Sequence, residues 1–256
     1  MNKVISNLAL AIFLSMGVSG CVTTTTGGVT VDEEKALETH IRTGMTYLQQ
    51  DNRDGAQRHF KKALELDDDS AEAWQGMAIL HQMNGEIELA ESRFKKALRG
   101  DSSISQSSIY LSYGRFLYEQ ERYKEAFDYI KTASEDIDYP SRGLALLYLG
   151  RTALKLDKPE RAVAAFELSA VLDRKQADPL IELAEIYFSQ RDYPQAKAYL
   201  DRFAALTRHT PRSLWLGIRI ERIFGNKDKE ASYALALKNM HPYSKEYLQY
   251  KLLVQQ

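Results

Sequence analysis

The pentapeptide "FKKAL" occurs at Phe60–Leu64 and again at Phe94–Leu98, thirty-four residues apart. A fixed period of that length is the mark of stacked supersecondary units, each unable to bury its apolar face without a neighbour. The two copies sit among helix-forming residues, with "LDDDS" and "RGDSS" following them as breakers.

Carried outward, the period organises the chain from residue 37 onward. Units starting at Leu37, Ala71, Ser107, Gly143, Ala177 and Pro211 are 34, 36, 36, 34 and 34 residues apart. Thirty-four residues is the length of the tetratricopeptide repeat, a helix-turn-helix unit with a set pattern of small and bulky residues. Small side chains recur at position 8 (Gly44, Ala78, Gly114, Gly150, Ala184) and at position 20 (Ala56, Ala90, Ala126, Ala162, Ala196). Bulky ones recur at position 24 (Phe60, Phe94, Ile130, Phe166, Leu200). Small residues let the two helices of a unit cross closely, and the bulky one fills the space against the next unit. The sixth unit departs from the pattern, with Ile218 at position 8 and Glu230 at position 20. Terminal repeats are often atypical because they cap the stack, and "SKEYLQYKLLVQ" reads as a closing helix. The fold expected is all-α: a right-handed superhelical solenoid of about six tetratricopeptide repeats plus a C-terminal capping helix. It occupies residues 36–256.

Residues 1–35 read differently. "MNK" precedes a short apolar run, Val4 to Val18, and then Ser19-Gly20-Cys21. A basic start, a short apolar core and small residues read as a secretory signal, too short to span a bilayer as a helix. Cys21 is the only cysteine in 256 residues. An unpaired cysteine in an oxidising compartment is a liability unless it is used. "VSGC" resembles the bacterial lipobox, which implies a signal peptide over 1–20, cleavage before Cys21 and a diacylglycerol on its sulfur. Two or more acyl chains make attachment stable. An Asp after the cysteine retains such proteins at the inner membrane; Val22 stands there, which implies sorting to the outer membrane. Residues 21–35 then form a flexible tether, spanning about 20 Å as a coil.

Composition excludes several classes. Without the signal the chain carries 33 basic against 35 acidic residues, not the basic surface that nucleic acid requires. The five histidines never fall at metal-ligand spacing. No nucleophile elbow, phosphate loop or dinucleotide fingerprint is present. Asp67-Asp68-Asp69 lacks the glycine and distal glutamate of a calcium loop. The chain reads as no enzyme, with no cofactor beyond the lipid on Cys21 and no small-molecule substrate.

A partner site is expected on the concave face, which the first helix of each repeat lines through positions 2, 5, 9 and 12. Position 5 reads Ile41, Gln75, Leu111, Leu147, Ile181 and Trp215. Position 9 reads Met45, Ile79, Arg115, Arg151, Glu185 and Arg219; position 12 adds Leu48, Tyr118 and Phe188 among others. An apolar strip set with arginines suits a peptide carrying apolar anchors and acidic groups. On this reading a charge placed at Leu111, Leu147 or Ile181 stays hydrated in the free protein and blocks only the partner.

Four stretches go beyond the generic repeat: "SYGRFLYEQERYKEA" (112–126), "YPSRGLALLYLG" (139–150), "ELAEIYFSQRDYPQAKAYL" (182–200) and "SLWLGIRIERIFGN" (213–226). They resemble the type IV pilus biogenesis/stability lipoprotein family of outer-membrane pilotins. The resemblance implies lipid anchoring facing the periplasm and capture of pilus secretin subunits for outer-membrane localisation and multimerisation. Two other readings share the lipobox and repeats: a scaffold lipoprotein of the β-barrel assembly machinery, and an adaptor for peptidoglycan hydrolases. "SLWLGIRI" and "YPSRGLALLYLG" favour the pilotin.

Overall fold

The computed structural model describes residues 31–102 and 106–255. The signal peptide expected over 1–20, Cys21 and the tether up to residue 30 lie outside the described residues. Among those described, thirteen helices follow one another: α1 (Val31–Gln49), α2 (Arg53–Leu66), α3 (Ala71–Met83), α4 (Ile87–Ala97), α5 (Gln106–Glu119), α6 (Tyr123–Glu135) and α7 (Arg142–Lys155). The chain continues with α8 (Pro159–Leu172), α9 (Asp178–Ser189), α10 (Tyr193–Leu206), α11 (Pro211–Ile223), α12 (Lys227–Met240) and α13 (Lys245–Val254). They pair as six helical hairpins, α1/α2 through α11/α12, stacked as a solenoid and closed by α13 against α11 and α12.

The turn inside each hairpin fixes the register. Among the described residues six adopt positive φ: Asp51, Gly85, Glu121, Asp157, Arg191 and Gly225. They are spaced 34, 36, 36, 34 and 34 residues apart, reproducing the sequence period at one backbone position per unit. The chain reverses there in the left-handed conformation that caps a helix. Only two of the six are glycine, the residue that adopts it without strain. The two-residue insertions fall between hairpins, before α5 and before α7. In the first of these joints Asp101 N donates to Asp69 O and Ala71 N to Asp101 O, both at 3.0 Å, tying neighbouring turns together.

Packing follows from the sixteen-residue offset between positions 8 and 24. A Cβ on Gly44 would lie 2.6 Å from the Phe60 ring, one on Gly114 2.5 Å from Ile130, and one on Gly150 2.5 Å from Phe166. Phe60 also meets the next unit, where a Cβ on Gly76 would come within 2.3 Å of its ring. The ring is held between two bare backbones and is fully buried. The sixth hairpin keeps the offset but inverts the sizes. Ile218, fully buried at position 8, shares one cluster with the small Ala234 at position 24. What reads in sequence as degeneracy is an exchange of volumes across one crossing. A second small residue, Gly217, receives the Tyr233 ring, which a Cβ would meet at 2.9 Å.

The N-terminal boundary differs from expectation. Val31–Lys35, assigned to the tether, are the opening turns of α1. Asp32, Glu33 and Glu34 sit in its first turn, where carboxylates meet the positive end of the helix dipole.

Candidate functional site

The first helices of successive hairpins also touch, α1 with α3, α3 with α5, α5 with α7 and α9 with α11 by backbone approach, and α7 with α9 through side chains. This decides which of the expected groove residues are open. Leu111, Leu147 and Ile181 are not. They are 3%, 2% and 6% exposed. Leu111 packs in the cluster of Phe94, Phe116 and Ile130, Leu147 in that of Phe166 and Leu183, and Ile181 in that of Leu200 and Leu216. Leu48 is likewise buried with Phe60 and Leu80. The expectation that these side chains line the groove, and that a charge there stays hydrated, is therefore corrected. Position 5 lies where one first helix leans on the next, a neighbour that a single unit's pattern does not reveal. Ile41, Met45, Arg115, Tyr118, Arg151, Phe188 and Trp215 remain half-buried and available on their helices.

These open residues form two zones. In the first, α3 and α5 flank a depression of about 310 Å³ lined by Ile79, Gln82, Met83, Ser112, Arg115 and Glu119. Its walls are joined by neutral or singly charged hydrogen bonds. Gln75 Nε2 donates to Ser112 Oγ at 2.6 Å, and Gln82 Nε2 donates to Glu119 at 2.6 Å. Arg115 lies with its guanidinium 4.7 Å from the centre of the Tyr148 ring, a cation–π contact. Its buried Nε has no acceptor. Tyr118 stands edge-on to both Tyr123 and Tyr148.

The second zone is an ion ladder across α7, α9 and α11. Arg151 bonds Asp178 and Glu182, each at 2.9 Å, and Arg212 bonds the second oxygen of Glu182 at 2.9 Å. Glu185 then lies 3.5 Å from both Arg212 and Arg219. Arg219 stacks over Phe188 at 4.5 Å and near Trp215 at 5.4 Å. Burial pushes the Glu182 carboxyl up, but the hydrogen bonds and charges of Arg212 and Arg151 outweigh it and hold the group below the usual carboxylate range. Arg151 loses by burial and gains more from Glu182 and Asp178, so it is held more firmly charged than usual. Asp178, Glu182 and Arg212 escaped the sequence reading. Opposite charges 30 and 31 residues apart, just under one period, were the signal.

Tetratricopeptide repeat models match residues 47–103 and 76–140. Across nearly the whole chain there is a stronger likeness. The type IV pilus assembly protein PilF of Pseudomonas aeruginosa is 37% identical over 246 residues, covering 95% of this chain and 97% of that protein. The chain belongs to the PilF family. A solved structure of Pseudomonas aeruginosa PilF superposes with a TM-score of 0.81 at 38% identity, covering 86% of this chain and 99% of that one. PilW, described as a widely conserved type IV pilus biogenesis factor, superposes at 0.72 with 24% identity over 84% of this chain and 98% of its own, and shares the fold.

Within this PilF-family stack the two zones differ in what they can accept. The ladder on α7, α9 and α11 meets its charges internally, so an incoming charged group would have to displace a partner already in place. The α3–α5–α7 zone offers half-buried aromatic and thioether surface and an arginine that makes no ion pair among the described residues. It is the part of the concave face where a new hydrogen-bonding partner improves the balance. Among the described residues no group of three or more His, Cys, Asp or Glu could hold a metal ion, and no helix is long and apolar enough to cross a membrane.

Proposed function

We propose that this chain is a non-enzymatic outer-membrane pilotin in type IV pilus biogenesis, which captures pilus secretin subunits and promotes their localisation and multimerisation. The observation that carries the reading is the relationship to PilF over 95% of the chain. The "VSGC" lipobox adds an anchor: Cys21 is acylated, Val22 permits sorting to the outer membrane, and the repeats face the periplasm. The secretin segment lies along the concave face of α3, α5 and α7, with an apolar anchor near Ile79 and Met83 and an acidic group on Arg115. Edge-to-face aromatic surface at Tyr118 and Tyr148 completes the contact, since rigid aromatics give contact area at low entropic cost.

The test is complementation of a strain lacking the protein. Secretin multimers are read from unboiled membranes, and acylation from growth with a labelled fatty acid. Wild type restores multimers in the outer membrane. Cys21→Ala takes up no label and leaves the secretin in the wrong membrane. Arg115→Glu, which keeps the fold, takes up label but fails to capture secretin. Full multimerisation by the Arg115→Glu and Tyr118→Glu variants would remove the concave assignment. Full multimerisation without any bound chain would remove the pilotin reading.

A further inference from the structure

Exposed apolar surface also lies on the second helices of the hairpins, at Leu168, Val171, Leu172, Leu206 and Met240. From α6 onward, each second helix of a hairpin parts from the next to leave a groove floored by the first helix between them. Three such grooves follow in succession. The first, between α6 and α8, has Leu146 and Leu149 as floor and Leu168 on its wall. Between α8 and α10 the second has Leu180 as floor, with Val171 and Leu206 beside it. The third, between α10 and α12, has Leu214 as floor, with Leu206 and Met240 on its rims. Ala205 and Leu206 belong to both of the last two grooves, so these run into one another. Val171 is 63% exposed, Met240 57% and Leu206 45%. Grooves of about 460 to 560 Å³ with such walls are unusual on a surface that has no partner.

The charge along the band is one-sided. Lys131, Arg142 and Arg161 line the first groove, Arg174 and Arg202 the second and Arg208 the third. The single carboxylate among the lining residues is Glu135, already 3.4 Å from Lys131. Arg161 and Arg202 rest on the faces of Phe127 and Tyr199 instead of on an acid. A chain of formal net charge −1 thus concentrates six cations against one acid beside exposed Val171, Leu206 and Met240.

We infer that this outer band, from α6 to α12, is a second docking surface, and that its occupant is an acidic amphipathic segment of a partner protein. The apolar side chains of that segment enter the grooves, and its Asp and Glu residues meet the arginines on the rims. The complementarity argument selects the sign of the partner, and the recessed shape selects a peptide. A bilayer would need apolar groups that protrude, whereas these sit in and beside grooves. The surface is independent of the concave zone, so it gives the chain the means to hold two partners at once.

A random dodecapeptide display library, selected on the purified full chain and counter-selected on Val171→Glu/Leu206→Glu, tests this. The enriched peptides should carry at least two acidic residues and spaced Leu, Ile or Phe. Their affinity should fall at least tenfold in Val171→Glu/Leu206→Glu and in Arg161→Glu/Arg202→Glu, and stay unchanged in Arg115→Glu on the concave face. All four side chains are exposed, and circular dichroism checks that the variants remain folded. If the apolar pair does not fold, the arginine pair carries the test; a folded apolar pair that binds as well as the parent would overturn the inference. No enriched sequences, or neutral and basic ones, would overturn the inference. So would binding to phosphatidylglycerol vesicles, or self-association in sedimentation, that the same substitutions abolish while no acidic peptide binds.

Discussion

Replacing Gly76 by Ala adds one methyl group where the Phe60 ring already lies 2.3 Å from the position it would take. Carbon atoms in good contact are about 3.5–4.0 Å apart, so ring or helix must give by more than an ångström. The ring cannot retreat, because the Gly44 backbone holds its other face and Phe60 has no exposed surface. Overpacking of this kind costs about 1–3 kcal/mol, and a clamped ring puts it at the upper end. Against this, Ala in place of Gly in a helix interior returns about 1 kcal/mol. The net expectation is a loss of about 2 kcal/mol. In a domain of this size that lowers the melting temperature by about 4–8 °C. Because repeats couple mainly to their neighbours, amide exchange should accelerate in α2 and α3 first. Phe60→Leu, which shortens the clamped group, should cost less in the Gly76→Ala background than alone, with a coupling above about 0.5 kcal/mol. A Gly76→Ala protein that melts at or above the parent, or two losses that simply add, would refute the clamp.

Leu147→Glu should lose about 4 kcal/mol or more, since it empties a buried leucine site and leaves a carboxyl without a partner; melts should show Arg115→Glu within about 1 kcal/mol of wild type. Acid should weaken the contact between α4 and the α5–α6 turn through Glu91: hydrogen bonding from Lys95 and Arg122 brings its carboxyl from 4.5 to about 2. A depressed carboxylate contributes stability above its unfolded value, lost as pH falls through the folded one, so melts between pH 5 and 2 should slope less steeply in Glu91→Gln. Arg191→Gly should stabilise by about 0.5–1 kcal/mol in urea titrations, because a long side chain is held there at φ 64°.

The period, the hairpin count and the capping helix were all legible in the sequence, because each rests on contacts within one unit or on the turn that closes it. Phe60 and Phe94 announce themselves by recurring. Position 5 was misread for the opposite reason. Leu147 packs with Leu183, a residue of the next unit on another helix, and a pattern aligned by unit does not distinguish a side chain facing its neighbour from one facing the groove. The ladder was hidden in the same way, since Arg151, Glu182 and Arg212 each look like ordinary surface charges until three helices are set side by side. Val31–Lys35 became helix through three successive acids that composition alone reads as linker.

The exchange of volumes at Ile218 and Ala234 has a consequence for how the chain finds its partners while folding. In a stack of near-identical hairpins, any first helix can try any second helix. Five crossings set a small residue against a large one in the same order and differ little in shape. If α11 took α10 as its mate, Ile218 would confront Leu200, two bulky groups at one crossing. If α12 took α9, Ala234 would face Ala184 and leave a void. Either error carries a steric or cavity penalty that a correctly paired end avoids, so the last hairpin accepts only itself and gives an otherwise slippery sequence a defined terminus.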